Sequence, residues 1–526
     1  VTGLHDRLSP LLTGRWSRLG LALGAGVLAA LVHPPFGFLP GLVAYPLLML
    51  LAERSGTVRG AFWVGWLAGF GYFLVGCWWV AEAFLVNPAQ AWMAPFAASL
   101  LPAGIGLFWG GATALYRRFA PSGPARVLVF AALFGLFEWL RGHVLTGFPW
   151  NPAGAGWAAG SAGSQFAALA GVYGLGLVTV AATSAFALLM VPGPRKTRIG
   201  VALTGLSVLA ALVIGGSIRL AGARVEETRT RVRIVQADVD QQSKWTPEAY
   251  RSIVERYVDL TALAATTRPD LVIWPEGALP ASFNSVFAPG APDGAAIAQA
   301  LQPGQTLLAG FGRGEPDEGG EDRYYNSLVA LHDEGGEGLR IAAIYDKHRL
   351  VPFGEFLPLG GLMNAIGIRS LVHMPADFSP GPTPAPIDLP NGPRVQPLIC
   401  YESLYPGFTP AGVGRPEWIV NVSNDAWFGA TSGPIQHLNL ASYRAIETGL
   451  PVVRATPTGV SAIIDPWGRV IDGQRLDSGQ SGVIDAWLPG PTEPTLFGRF
   501  GDLPFWLLVL AGLVPLLIRR RPGSLA

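Results

Sequence analysis

The chain is short of cysteine, of charge and of organised histidine, and each shortage narrows what it can be. Its 526 residues include only two cysteines, Cys77 and Cys400. Cys77 lies inside the apolar run FLVGCWWV and Cys400 in a polar region far downstream, so the two cannot pair across a membrane boundary. Charged residues make up 14% of the chain against 50% hydrophobic, a balance that excludes an ordinary soluble enzyme of this length. The seven histidines are scattered without the paired spacing of a metal site, so neither metal nor cofactor is expected. Nothing resembles an organelle address.

What the chain has instead is long apolar runs, each near the roughly 20 residues that a membrane-crossing helix needs. Spans are expected at 19–33, 37–53, 59–83, 91–116, 125–143, 163–191 and 199–218, with an eighth, PFWLLVLAGLVPLLI, at 504–518. The first could pass for a signal peptide, but the runs that follow make it a retained anchor. From about 225 to 495 the composition turns to mixed charge. The expected organisation is a seven-helix membrane domain over 1–220, an α/β soluble domain over 221–495, and a last span with a basic tail over 496–526.

Basic residues mark which side is which, because short cytoplasmic loops retain Lys and Arg. Arg7, Arg15 and Arg18 precede the first span; Arg54 and Arg59 lie in the second junction; Arg117, Arg118 and Arg126 lie in the fourth. Arg195, Lys196 and Arg198 follow the sixth span, and Arg519, Arg520 and Arg521 close the chain. The alternating junctions, such as HPPFGFLPG, carry almost no positive charge. Both termini are therefore expected inside and the soluble domain outside. A lone thiol in an oxidising compartment stands out as potentially reactive.

Around that thiol, the β-branched runs RVRIVQADVD, LVIWPEG, TLLAGFG, YNSLVALHD, VQPLICYE and WIVNVSND alternate with helical patterns such as PEAYRSIVERYVDLTALAATT and GPIQHLNLASYRAIETG. Such folds place chemistry at strand ends. Three ends stand out: LVIW runs into Glu276, IAAIYD into Lys347, and QPLI into Cys400. A cysteine nucleophile needs a base or a neighbouring cation, which Glu276 and Lys347 would supply, and the cation also suits the oxyanion of acyl transfer. Each has an ordinary alternative: a buried small hydrophobe for Cys400, a cap for Glu276, a solvated charge for Lys347. His348 and His437 read as site-wall or surface residues.

WPEGALP, YDKHRLVPFGEFLP, ICYES and NVSNDAWFG resemble the signatures of the carbon–nitrogen hydrolase (nitrilase) superfamily, whose catalytic residues run Glu, Lys, Cys in chain order. With spans on both sides, and with LRGHVLTGFPWNP and VQADVDQQSKW, the chain is similar to the superfamily's membrane branch, the bacterial apolipoprotein N-acyltransferases. The resemblance implies eight transmembrane helices and a nitrilase-like α-β-β-α sandwich. It implies a catalytic triad of Glu276, Lys347 and Cys400, with Glu355, Tyr401 and Glu402 supporting it. Tyr401 stands where soluble members usually have Trp. Trp245, and Trp150 in GFPWNP, match positions expected at the substrates.

The implied chemistry has two halves. Cys400 takes an acyl chain from a glycerophospholipid, at sn-1 of phosphatidylethanolamine, as a thioester, and passes it to the α-amine of a lipoprotein's N-terminal diacylglyceryl-cysteine. This is the last step of lipoprotein maturation, by a monomer in the bacterial inner membrane with no nucleic-acid partner and no appended glycosyltransferase domain. Residues 354–375, with Phe356 and Leu359 beside Glu355 and three glycines that break the helical pattern, are expected to form an apolar cover; a buried core helix is the other reading. Glu138 and Arg141, near the end of the fifth span, read as a structural ion pair or as part of a headgroup site. Two other functions stay open: a membrane-tethered amidase or nitrilase-type hydrolase, and a non-catalytic binding module on the same fold.

Overall fold

A computed structural model describes residues 14–316, 322–335, 338–358 and 377–517, which divide into two compact units. One comprises 14–81, 93–223 and 500–517; the other comprises 82–92 and 224–499.

The apolar runs of the first unit fold as α1 (Arg15–Ala30), α2 (Ala44–Glu53), α3 (Val58–Cys77), α4 (Ala94–Phe119), α5 (Ala125–His143), α6 (Ala167–Ser184) and α7 (Arg195–Ala221), with a further helix at Leu503–Leu517. Among the described residues, four stretches, Val58–Leu85, Pro88–Phe119, Gly163–Met190 and Arg195–Ala221, are long and apolar enough to cross a membrane. Of the eight expected spans, these four have the length and composition of a crossing helix. The apolar helices Leu39–Glu53 and Leu503–Leu517 are shorter, and α5 carries Glu138 and Arg141. Helices in lipid gain from close backbone approach, and α3 meets α4 in this way. A Cβ on Gly69 would lie 2.9 Å from Gly106 Cα, and Thr113 Oγ1 donates to Ala61 O at 2.8 Å.

Buried between α4 and α5, Arg141 Nη2 lies 2.9 Å from Glu138 Oε2 and Nε lies 3.2 Å from Oε1. Nη1 donates to the carbonyls of Phe148 and Trp150, while Trp109 Nε1 (2.9 Å) and Ala153 N (3.3 Å) donate to the carboxylate. Every nitrogen of the guanidinium is engaged. Of the two readings of this pair, the geometry carries the structural one.

The second unit contains two mixed six-stranded sheets. The first is built from β1 (Glu227–Gln236), β2 (Leu271–Ile273), β3 (Thr306–Pro316), β4 (Asp322–Asp333), β5 (Leu339–Asp346) and β12 (Gly482–Pro489), in the order β12-β1-β2-β3-β4-β5. The second holds β6 (Ile387–Leu389), β7 (Gly392–Ile399), β8 (Trp418–Val422), β9 (Val452–Ala455), β10 (Ser461–Ile464) and β11 (Val470–Leu476), in the order β11-β10-β9-β8-β7-β6. β1, β2 and β3 run parallel, as do β7, β8 and β9. The buried stretches of these strands, such as Leu271–Ile273 and Trp418–Val422, are rich in Val, Ile and Leu, as expected where both faces are covered.

One apolar cluster draws on both sheets, with Ile234, Ile273 and Leu328 from the first and Ile399, Val420 and Val453 from the second. A second cluster joins the first sheet to α8 (Pro247–Ala262) and α9 (Pro292–Ala300), through Tyr257, Trp274 and Ile297. A third joins the other sheet to α10 (Gly433–Thr448), through Leu398, Leu438 and Ala445. Helix starts are chemically marked: Thr246 caps α8 by accepting from Ala249 N, with Pro247 and Glu248 in the first turn. Residues 82–92, which hydropathy alone places between two spans, cluster with this unit, where Gln242 Nε2 donates to Leu85 O at 3.5 Å.

Candidate active site

Three strand ends of the α/β unit carry the residues singled out above. After β2, the turn bearing Glu276 is fastened to β3 by Trp274 N donating to Leu308 O (2.8 Å) and Gly310 N donating to Pro275 O (3.2 Å). Position 310 has to be glycine, since a Cβ there would stand 2.5 Å from Glu276 Cα. Lys347 follows β5, with its N–H donating to Asn326 O at 2.8 Å, and Cys400 follows β7.

The side chains converge. Lys347 Nζ lies 3.2 Å from Glu276 Oε1 and 2.9 Å from Glu355 Oε1, and Asn326 Nδ2 donates to the same two oxygens at 2.6 and 2.7 Å. Glu276 also accepts from the Cys400 thiol, and the backbone N–H of Asn424 faces the sulfur. Lys347 is 1% exposed and Cys400 8%. Lys347 is thus no solvated charge: two carboxylates compensate its burial. An ammonium has three donors, and among the described residues Lys347 spends two.

These contacts set the resting charges. Burial alone would raise Glu276, but the Lys347 charge, with hydrogen bonds from Asn326, Cys400 and Lys347, brings it below the ordinary carboxylate value. Burial would lower Lys347, and Glu276 and Glu355 reverse that and hold it well above its usual value. The thiol is pushed well up, first by burial and then by the charge of Glu276, against the opposing pull of Lys347 and Asn424 N–H. At neutral pH the site therefore holds the Glu276 carboxylate, the Lys347 ammonium and a protonated Cys400 thiol.

Glu402 is wholly buried and ties two of these strand ends together. Its carboxylate accepts from Tyr345 Oη (3.0 Å to each oxygen), His348 N (2.8 Å) and Arg349 N (3.3 Å) on the Lys347 side, and from Ile399 N (2.8 Å) before Cys400. Burial raises its pKa despite those donors. Glu355 is placed by Val351 N, which donates to its second oxygen at 2.7 Å.

The other expected residues are more dispersed. Tyr401 is buried edge-on against Tyr405, with centroids 5.3 Å apart, and Phe356 is half-buried next to Glu355. Trp245 is 64% exposed and lines a cavity of about 200 Å³ with Lys244, Thr246, Pro247, Tyr250 and Pro280. Trp150 belongs to the helical unit, buried against Trp79 at 4.3 Å. Leu359 and most of the expected cover lie outside the described residues. His437 is neither a surface nor a site-wall residue: it is 1% exposed, beneath the Cys400 turn.

Comparison with known proteins agrees with these motifs. Residues 231–490 match the family described as Carbon-nitrogen hydrolase, and residues 25–185 match the Apolipoprotein N-acyltransferase N-terminal domain. The chain is 51% identical over 516 residues to an apolipoprotein N-acyltransferase of Caulobacter vibrioides, covering 96% of this chain and 95% of that one. The chain belongs to the apolipoprotein N-acyltransferase family. Further members, from Rhodopseudomonas palustris and Brucella melitensis, are each 39% identical, covering 97% and 96% of both chains. This is an acyltransferase of the nitrilase superfamily and a membrane protein.

Some residues of this N-acyltransferase site escape a sequence reading. Asn326 bridges two carboxylates from mid-strand, and a single Asn in YYNSLV carries no signal. Lys244 is buried, donates to Gly277 O, and is brought down to about 8 by burial, with Glu276 opposing the shift. Its one available cue was its place next to Trp245.

Proposed function

We propose that Cys400, Glu276 and Lys347 carry the two half-reactions of apolipoprotein N-acylation, and that the contact between the Cys400 thiol and the Glu276 carboxylate is where both begin. As the sulfur attacks an ester carbonyl of a glycerophospholipid, the sn-1 ester of phosphatidylethanolamine, the S–H proton passes to Glu276. The oxyanion takes the third donor of Lys347. Collapse breaks the ester C–O bond, Glu276 returns the proton to the departing alkoxide, and lysophospholipid leaves a thioester behind. The α-amine of a diacylglyceryl-cysteine then attacks that thioester. Glu276 accepts the amine proton and delivers it to the departing sulfur, leaving an amide. One covalent intermediate serves both halves, so ping-pong kinetics follow.

Glu355 shares Lys347 with Glu276 and holds its ammonium in place; Glu402 locks the Lys347 and Cys400 turns to each other. Trp245 and Phe356 would meet substrate; the role of Trp150 in binding rests on the family motif, and that of Leu359 on the expected apolar cover. In this reading all eight apolar helices cross the bacterial inner membrane, both termini are cytoplasmic, and 221–495 forms an extracytoplasmic α-β-β-α sandwich. The alternation of basic junctions and the apolar cluster common to the two sheets support this arrangement. The test is mass spectrometry of a reporter lipoprotein incubated with purified protein and phosphatidylethanolamine. The expected product is the N-acylated terminus, with acyl-Cys400 trapped when acceptor is omitted. Acceptor acylation with no trace of that thioester would overturn the scheme.

A further inference from the structure

The nucleophile stands on a strained backbone, and a buried ionic network lies directly beneath it. Cys400 has φ +49°, in the left-handed region that a side-chain-bearing residue occupies only under strain. Such a conformation persists only where its surroundings hold it. Its carbonyl accepts from Ser403 Oγ at 2.8 Å, and His437 Nε2 lies 3.2 Å from that carbonyl and 3.1 Å from Ser403 Oγ. The other ring nitrogen, Nδ1, lies 2.9 Å from Asp425 Oδ1. Asp425 is gripped in turn by Arg454 Nη2, at 2.8 and 2.7 Å from its two oxygens, and Arg454 Nη1 donates to Asn421 and to Ser423 Oγ. His437, Asp425 and Arg454 are all essentially excluded from solvent.

The network reaches the sulfur from a second side. Asp425 opens the short turn Asp425–Phe428, and the residue before it, Asn424, presents its N–H to Cys400 Sγ. One carboxylate thus fixes the imidazole under the nucleophile's carbonyl and the backbone donor beside its sulfur. None of these three side chains touches Glu276 or Lys347 by any hydrogen bond among the described residues, so the catalytic scheme leaves them without a task.

We propose that His437, fixed by Asp425 and Arg454, is a positioning residue that holds Cys400 in its strained conformation and so keeps its sulfur aligned with the base. This rests on Cys400 being the nucleophile. Misplacing a reacting atom by about 1 Å costs on the order of 100-fold, which sets the expected size.

The experiment uses the full-length protein in phospholipid-containing detergent micelles, following Cys400 thioester formation from phosphatidylethanolamine. His437→Ala is expected to lower kcat about 100-fold with KM within about twofold of wild type. His437→Gln, whose amide can offer a donor or an acceptor toward Cys400 O and Ser403 Oγ, is expected to regain at least about tenfold of that loss. Should His437→Ala fail to accumulate, His437→Leu fills the site and carries the same expectation. Alanine or leucine variants within about threefold of wild type, glutamine no better than alanine, or a KM effect without a kcat effect would each overturn the proposal. Cys400→Ala separates the two claims. If it still forms thioester, the nucleophile assignment fails; if it is inert while His437→Ala is normal, only the positioning role fails.

Discussion

Each unit buries a carboxylate against a cation, and the two pairs are finished differently. Glu138 and Arg141 are saturated, because every guanidinium nitrogen and both carboxylate oxygens have protein partners. Glu276 and Lys347 are left incomplete. One Glu276 oxygen takes both Asn326 and Lys347, the carboxylate still meets a thiol, and the ammonium keeps a donor unspent among the described residues. A completed pair can only hold a structure together, whereas an incomplete one has capacity for a substrate's changing charge. Buried charge by itself therefore says little about function; the unused donor and the shared proton say more.

The largest test of this contrast is the thiol itself. Cys400→Ser should reduce acyl transfer below detection, while Cys77→Ser, in α3 of the helical unit, should leave it within about twofold, since buried volume changes little; reporter mass spectrometry reads both. Next, Glu276→Gln should slow thioester formation by about 100- to 10,000-fold, the usual contribution of a positioned base. Its melting temperature should move by less than about 4 °C, because Lys347 keeps Glu355 as partner. A large drop in melting temperature would mean that this pair, too, is structural.

Lys347→Met keeps the apolar stem and removes the charge, so both half-reactions should slow by about 100- to 1,000-fold. Single-turnover assays of acylation and of thioester discharge would show whether one half escapes. Glu138→Gln should behave in the opposite sense. Stranding Arg141 costs about 3–5 kcal/mol of stability, while the fraction that stays folded should turn over within about threefold of wild type. A normal melting curve with lost activity would give that pair a chemical role.

The finest test uses pH. Burial and the Glu276 charge raise the thiol pKa, so in a Cys77→Ser background Cys400 should react slowly with a small haloacetamide at neutral pH, and the rate should climb only above the ordinary thiol range. Glu276→Gln removes one of the causes that raise it. Labelling at about pH 8 should then quicken, just as acylation by phospholipid slows. If both rates fall together, the Glu276 charge is not what holds the thiol pKa up.

Much of this arrangement is legible along the chain. The runs RVRIVQADVD, LVIWPEG, TLLAGFG, YNSLVALHD, VQPLICYE and WIVNVSND all contain strands, and both quoted helical patterns fold as α8 and α10. Glu276, Lys347 and Cys400 follow β2, β5 and β7, where runs of apolar residues give way to polar ones. β6 and β9–β12 escaped notice. They are short, as in Val452–Ala455, or broken by polar and glycine residues, as in VIDGQRL, and sheet neighbours rather than local pattern make them strands.

Local chemistry, then, determined the apolar helices, the two-part composition and the identity of the three converging residues, since hydropathy and residue type act wherever a side chain sits. Only the tertiary structure decided which charges are completed and which are left open, and that His437 lies beneath Cys400 rather than on a surface. His437 and Cys400 are 37 positions apart, and Asp425, His437 and Arg454 come from a turn, a helix and a strand. A hydrogen bond depends on positions in space to a few tenths of an ångström, and no spacing along a chain encodes that.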